Sequence, residues 1–290
     1  MKPPRFDYHA PESLEEALDL LADSGPDARI LAGGQSLVPV LNFRLARPGV
    51  LIDINRVTGI AGIGDAGDRL TIGAMTRQRE IEVSETVARA APLLHEATGH
   101  VAHLPIRSRG TIGGSMANAD PAAEDPAVAA ALEATMVCRS RRGERRIAAA
   151  GFFVDVLTTA LEPDEMLVAV EIPKIPAGAG AAFAEISRRD GDFALAGVAA
   201  QIALANGRVS DARISACGLG PAPVRFREAE EILLDGACEP AAIAAAAASV
   251  AAACDPHGDV HASAAYRRQL AEAMTRRALA SARERAGGSA

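Results

Sequence analysis

Ile30-Leu31-Ala32-Gly33-Gly34-Gln35-Ser36 and Gly110-Thr111-Ile112-Gly113-Gly114-Ser115 share one design: a Gly-Gly pair and a hydroxyl directly behind apolar residues. The pattern reads as a strand running into a turn whose backbone N–H groups no side chain covers, an arrangement suited to phosphate oxygens. One such turn is weak evidence, because a glycine pair more often solves a tight-turn problem. Two copies carry more weight, since a dinucleotide has two phosphates and two turns can converge on its pyrophosphate. Neither copy matches GxGxxG at a strand-to-helix junction or GxxxxGK[ST], so neither a Rossmann site nor a nucleoside triphosphatase site is expected.

Outward from the first copy, Ser13 is an N-cap with Glu16 at the capping-box position, ahead of a helix with Ala17, Leu18, Leu20 and Leu21 on its apolar face. Arg29 to Leu31 and Val50 to Ile54 read as strands, and Leu37 to Leu41 leads toward Arg44. Ile60–Ile63 and Arg69–Ile72 form a hairpin signal around residues 64–68. Thr76 is expected to cap a helix holding Glu80, and Val87 to Thr98 to continue helical with a break near Pro92. Beyond the second copy, Ala127–Ala134 reads as helix, Thr135–Cys138 as strand, Arg141–Arg146 as a charged, solvated hairpin turn and Leu167–Pro173 as a closing strand. The Pro- and Gly-rich stretch from Pro173 to Gly180 marks a domain boundary. Three strand-like runs follow, Ala181–Arg188, Ala194–Ala205 and Ser210–Gly218, then helices over Val224–Leu234, Ala241–Ala253 and Tyr266–Arg285. Arg267, Arg268, Arg276 and Arg277 form a stripe read as a solvated face. Strands followed by helices indicate an α+β arrangement.

Composition narrows the function classes. At 290 residues, 49% hydrophobic and 23% charged, the chain can bury more than one core. A net charge of −7, no tryptophan and only two tyrosines argue against a nucleic-acid surface. The longest low-polarity stretch, Ala237 to Ala253, is interrupted by Glu239 and Pro240, and the N-terminal residues carry no secretory pattern, so a cytoplasmic location is expected. Cys138, Cys217, Cys238 and Cys254 are too widely spaced for an iron–sulfur or zinc motif and read as reduced structural thiols. The histidines lack an HExxH arrangement, and no nucleophile elbow or acid–base carboxylate pair is evident, so no metal ligand and no catalytic side chain is named.

Ser115, Asn118, Asp120, Glu124 and Asp125 lie close together after the second copy, separated by Met, Ala and Pro. Short carboxyl and amide groups among small residues suit a chain passing against a polyhydroxylated ligand. The competing reading is that Asp120 and Glu124 open the following helix.

With these two segments, and with Phe6-Asp7-Tyr8-His9, Ile106-Arg107, Ala117-Asn118-Ala119-Asp120-Pro121 and Gly191-Asp192-Phe193-Ala194 in the same order, the sequence resembles the FAD-binding medium subunits of molybdenum hydroxylases. That family includes the carbon monoxide dehydrogenase medium subunits and the flavin domain of xanthine dehydrogenase. The resemblance implies an α+β fold: a two-lobed vanillyl-alcohol-oxidase or PCMH-type FAD-binding domain over residues 1–175, with lobes of about 1–57 and 58–175, and a smaller C-terminal domain of antiparallel strands and helices over 179–286. It implies non-covalent FAD, with Leu31, Ala32, Gly33, Gly34, Gln35, Ser36 and Leu37 on one side and Ile106, Thr111, Gly113, Gly114 and Ser115 on the other, lining pyrophosphate and ribityl chain. Asn118, Asp120 and Glu124 would add polar contacts, Glu124 standing where relatives usually have an aspartate, and Leu161 and Phe193 would lie near the rings. Relatives often carry a lysine in the strand corresponding to Ala184-Glu185-Ile186-Ser187; none occurs here, leaving Arg188 or Arg189 to supply that cation. The implied role is electron relay in a heterotrimer or dimer of heterotrimers, in which a large subunit holds the molybdenum cofactor and a small subunit two [2Fe–2S] clusters. A self-contained flavin oxidoreductase and a flavin-free scaffold of the same fold are the alternatives.

Overall fold

The computed structural model describes residues 1–287. Its N-terminal lobe is a three-stranded parallel sheet of β1 (Asp7–His9), β2 (Ala28–Leu31) and β3 (Val50–Asp53), with β3 in the middle. The helix Leu14–Ser24 crosses between β1 and β2. Ser13 Oγ accepts from the Glu16 amide at 3.1 Å, as the capping pattern requires, and Ala17, Leu18 and Leu21 are buried.

The central sheet is antiparallel, in the order β4 (Ile63–Ala66), β5 (Arg69–Gly73), β10 (Met166–Pro173), β6 (Thr135–Ser140), β7 (Gly143–Ala148). Alternation, shifted on β10 by a bulge between Leu167 and Ala169, divides its side chains between two cores. Leu70, Ile72, Met136, Cys138, Val170 and Ile172 face the helices Glu85–Ala90, Pro92–His100, Ile112–Asn118 and Glu124–Ala131. Val137, Met166 and Val168 face the N-terminal lobe and meet Leu18, Ile52 and Ile54. A short ladder of β8 (Phe153–Asp155) and β9 (Thr158–Thr159) lies before β10.

A second antiparallel sheet, β11 (Ala179–Ser187), β12 (Ala194–Ala205) and β13 (Arg208–Cys217), is covered by the helices Arg227–Leu233, Pro240–Ala253 and Ala264–Gly287. Both its faces are buried: Ala182, Val198, Ala200 and Ile202 lie under those helices, while Ala181, Phe183, Ala199 and Cys217 join the core of the central sheet. The four cysteines are free and buried.

Several local expectations need correcting. The first hairpin strand is Ile63–Ala66, not Ile60–Ile63, because Ile63 pairs with Ile72 and the turn tightens to Gly67-Asp68, with Gly67 at φ +60°. Thr76 does not cap a helix; its buried hydroxyl accepts from the Gly62 amide and donates to the Gly62 carbonyl, and Arg77 takes the N-cap position of the helix Gln78–Glu82. The helix after the second glycine segment spans Glu124–Ala131 and stops before Glu133, which turns left-handed at φ +53°. Arg145 and Arg146 lie on β7 rather than in a turn, and the arginines of that hairpin are paired, Arg141 with Asp19 and Asp23, Arg145 with Glu165 and Arg146 with Glu171. Arg267 is not on a solvated stripe: it is buried, donating to the Leu195 carbonyl and to Asp259, both at 2.8 Å.

Candidate functional site

The first glycine segment has the shape its sequence suggests. β2 ends at Leu31, Gly34 turns at φ +74°, and the helix Leu37–Asn42 begins after Ser36. Gln35 folds back on the turn, its Nε2 donating to the Gly33 carbonyl at 2.9 Å. Among the described residues, no acceptor takes the backbone N–H of Gly33, Gly34, Gln35 or Ser36. Four consecutive uncommitted amides on a half-exposed loop form a concavity of partial positive charge that fits phosphate oxygens.

The second segment differs. It is not a strand and turn but the opening of the helix Ile112–Asn118, with Thr111 as N-cap. Among the described residues, every amide of this segment but that of Thr111 is already used: Ile112 donates to the Thr76 carbonyl, Gly113 to the Ala74 carbonyl at 2.9 Å, and Gly114 to Thr111 Oγ1 at 3.1 Å. Its glycines serve close approach instead. A Cβ on Gly113 would stand 2.7 Å from the Ala74 carbonyl oxygen, and one on Gly33 would stand 2.8 Å from Gly110 Cα. The two segments therefore abut along their backbones, and a Cβ on Gly114 would come to 3.7 Å from the Ala32 Cβ. They form one cradle, with the first segment as its amide-lined side and the second as its floor.

The other candidates surround this junction unevenly. Ile106 closes the turn before the second segment, its carbonyl accepting from both Arg109 and Gly110. Ser115 and Asn118 are half-buried on the helix that the second segment opens. Asp120 makes a local turn, accepting from the Ala122 amide at 3.0 Å, but it does not cap the helix, whose N-cap is Ala123 without a side-chain bond; the helix-opening reading holds for Glu124, the first residue of that helix. Glu124 is buried in the first turn of its helix; burial, then Glu185, Asp125 and Asp120, push its carboxyl well above the usual range. Burial and Asp190 likewise raise Glu185 to about 7. Burial raises Asp125 too, though Gln78 Nε2, donating at 2.7 Å, and the Ser115 hydroxyl hold back part of the rise.

Phe193 is 65% exposed, and its loop is fixed by Gly191, on which a Cβ would enter the His103 ring. This brings the Phe193 loop against the turn that leads to Ile106 and the second segment. Leu161 is half-buried against the central core beyond β9, whose preceding residue Leu157 donates to the Ala119 carbonyl at the end of the Ile112–Asn118 helix. No helix among the described residues is long and apolar enough to cross a membrane, and no His, Cys, Asp and Glu cluster among them is placed to hold a metal ion.

Residues 4–175 match the family model of the FAD binding domain in molybdopterin dehydrogenase, and residues 181–282 match that of the CO dehydrogenase flavoprotein C-terminal domain. The chain belongs to the FAD-binding medium-subunit family of the molybdenum hydroxylases. The medium subunit is 48% identical over 287 residues to the 6-hydroxypseudooxynicotine dehydrogenase complex subunit alpha of Paenarthrobacter nicotinovorans, covering 99% of this chain and 97% of the relative. It is 42% identical to the caffeine dehydrogenase subunit beta of Pseudomonas sp. strain CBB1, covering 98% and 97%. It superimposes with a TM-score of 0.96 and 41% identity, over 98% of this chain and 99% of the other, on a chain of the carbon monoxide dehydrogenase from Hydrogenophaga pseudoflava that lacks the Mo-pyranopterin moiety of its molybdenum cofactor. FAD is thus the cofactor of the medium subunit, and the unbonded amide row beside a backbone-to-backbone junction fits its pyrophosphate.

Sequence reasoning missed four residues that shape the cradle: Asn55, Arg77, Gln78 and Tyr8. Tyr8 lies in the Phe6–His9 segment without an assigned role, and the other three are ordinary polar residues outside any motif, tied to the glycine segments only by the fold.

Proposed function

We propose that the medium subunit relays electrons within a three-subunit molybdenum hydroxylase, taking them from [2Fe–2S] clusters of a small subunit and delivering them to a final acceptor. In this reading the molybdenum cofactor sits in a large subunit. FAD, when bound, supplies a ring system that accepts electrons singly and releases them. The observation that carries the reading is the free amide row of Gly33 to Ser36 set against the second glycine segment. Leu31, Ala32 and Leu37 flank that row, while Ile106, Thr111, Gly113, Gly114, Ser115, Asn118 and Asp120 line the facing side. Glu124 contributes a buried carboxyl, and Leu161 and Phe193 offer apolar surface to the rings. The family matches at 4–175 and 181–282 support a division into an FAD-binding domain over 1–175, with lobes of about 1–57 and 58–175, and a C-terminal domain over 179–286.

Relatives of nearly equal length are named for 6-hydroxypseudooxynicotine, caffeine and carbon monoxide. One subunit design across such unlike molecules supports substrate selection in a different polypeptide. The test is purification of the tagged chain from its native host. Expected are a flavin absorbance band, two co-purifying subunits carrying molybdenum and iron, and no turnover by the chain alone. A chain that arrives without partners and oxidises a small donor unaided would instead make it a self-contained oxidoreductase. One that stays colourless after incubation with FAD would make it a scaffold.

A further inference from the structure

A chain of side-chain hydrogen bonds ties the two glycine segments together from below. Arg77 donates through Nη1 to the Arg109 carbonyl and through Nη2 to Asn55 Oδ1, both at 2.6 Å. Asn55 Nδ2 donates to the Ala32 carbonyl at 2.9 Å and to Asp53 Oδ1 at 2.5 Å. Asp53 is itself held by the Tyr8 hydroxyl at 2.6 Å and by the Asn55 amide at 2.9 Å. The Arg77 fork and the Asn55 amide in series therefore span from the residue before Gly33 to the residue before Gly110. These are the positions where the two backbones meet most closely.

The chemistry of Arg77 is unusual for a brace. Among the described residues no carboxylate lies within salt-bridge distance of it, and its fork is spent on two neutral oxygens. Burial, and then the Arg109 charge, lower its pKa, so the fold bears a cost for keeping it there. A lysine, with a single point of donation, cannot bridge two carbonyl-type acceptors in one plane as a guanidinium does. An arginine carrying only neutral partners, under a loop whose amides are free, is accounted for if the loop's spacing matters to an anionic ligand.

We propose that Asn55 and Arg77 are positioning residues that set the separation of the two glycine segments and thereby the affinity for FAD. The inference rests on the cradle reading given above. The test uses the full chain stripped of flavin, titrated with FAD by fluorescence quenching, with the melting temperature of the flavin-free chain measured alongside. Arg77→Lys keeps the charge and loses the fork; it is expected to weaken FAD binding at least fivefold while the flavin-free melting temperature changes little. Asn55→Ala is expected to weaken binding by a similar factor, and the double variant to bind no worse than the weaker single variant, because both remove one connection. Gly33→Ala is measured in parallel as a probe of the cradle itself. If Gly33→Ala binds FAD weakly but Arg77→Lys binds like the wild type, the positioning role is overturned and the cradle stands. If both bind like the wild type, the cradle reading falls and the positioning role with it. Affinity losses that multiply in the double variant, or that merely follow a falling melting temperature, also overturn the proposal.

Discussion

Gly33→Ala is the smallest change that reaches the junction of the two glycine segments. The added Cβ would stand 2.8 Å from Gly110 Cα and closer still to the Arg109 carbonyl oxygen, both backbone atoms that no rotamer change can move aside. Regaining ordinary contact requires the loops to part by roughly 1 Å. Two consequences follow, of different size. Overpacking of this kind costs about 1–3 kcal/mol of folding stability, and each kcal/mol lowers the melting temperature of a chain this long by roughly 2–4 °C. The amide row moves with Gly33, and a hydrogen bond to a charged group is worth about 1.5–3 kcal/mol, so losing one phosphate contact weakens FAD binding about 10- to 100-fold. The assay is FAD titration of the flavin-free chain together with its thermal unfolding. Gly99→Ala serves as the control, since a Cβ there meets nothing within 4 Å and Gly99 lies in a helix, where alanine is favoured. An FAD affinity within threefold of wild type for Gly33→Ala would refute the reasoning, whatever the melting temperature did.

Two other substitutions probe groups away from the junction. Glu185→Gln tests the buried carboxyl raised to about 7 by burial and Asp190: a proton bound more tightly in the folded state means that wild-type stability is fully present below about 4.5 and declines as pH rises through about 7. The variant should match the wild type at pH 4 and melt higher at pH 8; equal melting temperatures at pH 8 would contradict this. Arg225 donates to both carboxyl oxygens of the buried Glu230, at 2.8 and 2.7 Å, so Arg225→Met leaves that carboxylate only the Ile214 amide at 2.8 Å and Arg227 at 3.7 Å and should cost about 3 kcal/mol, the low end for breaking a buried pair. Adding Glu230→Gln should recover part of that loss in urea unfolding, and no recovery would count against a charge origin.

What the sequence made legible was the set of elements with strong local signals. Ser13 and Glu16 framed their helix, the break at Pro92 fell where expected, and the three long strands after the Pro-Gly stretch appeared nearly at their expected bounds. What stayed hidden depended on partners far along the chain. Thr76 looks like a cap but spends its hydroxyl on Gly62, which only the tertiary fold brings near. Arg267 looks like one of four surface arginines until β12 and β13 end against it. Asn55 and Arg77 belong to no motif, and their importance lies wholly in what they join.

The two glycine segments show the same limit from within a motif. Apolar residues, a glycine pair and a hydroxyl recur in both, yet in the first the glycines free the backbone to offer its amides, and in the second they let the helix lie against Ala74 and its neighbour loop. The difference traces to Thr111, whose hydroxyl accepts from the Gly114 amide and starts a helix there. In the first segment Gly34 takes a left-handed turn instead, and Ser36 makes no capping bond. A pyrophosphate gripped by two equivalent turns would need free amides on both sides. Here the amides of the second side, all but that of Thr111, are consumed in holding that side rigid, so the grip is lopsided and its strength depends on how closely the second segment supports the first. That dependence is why a methyl group on Gly33, which faces the support, should disturb the ligand as much as a change on the amide row itself.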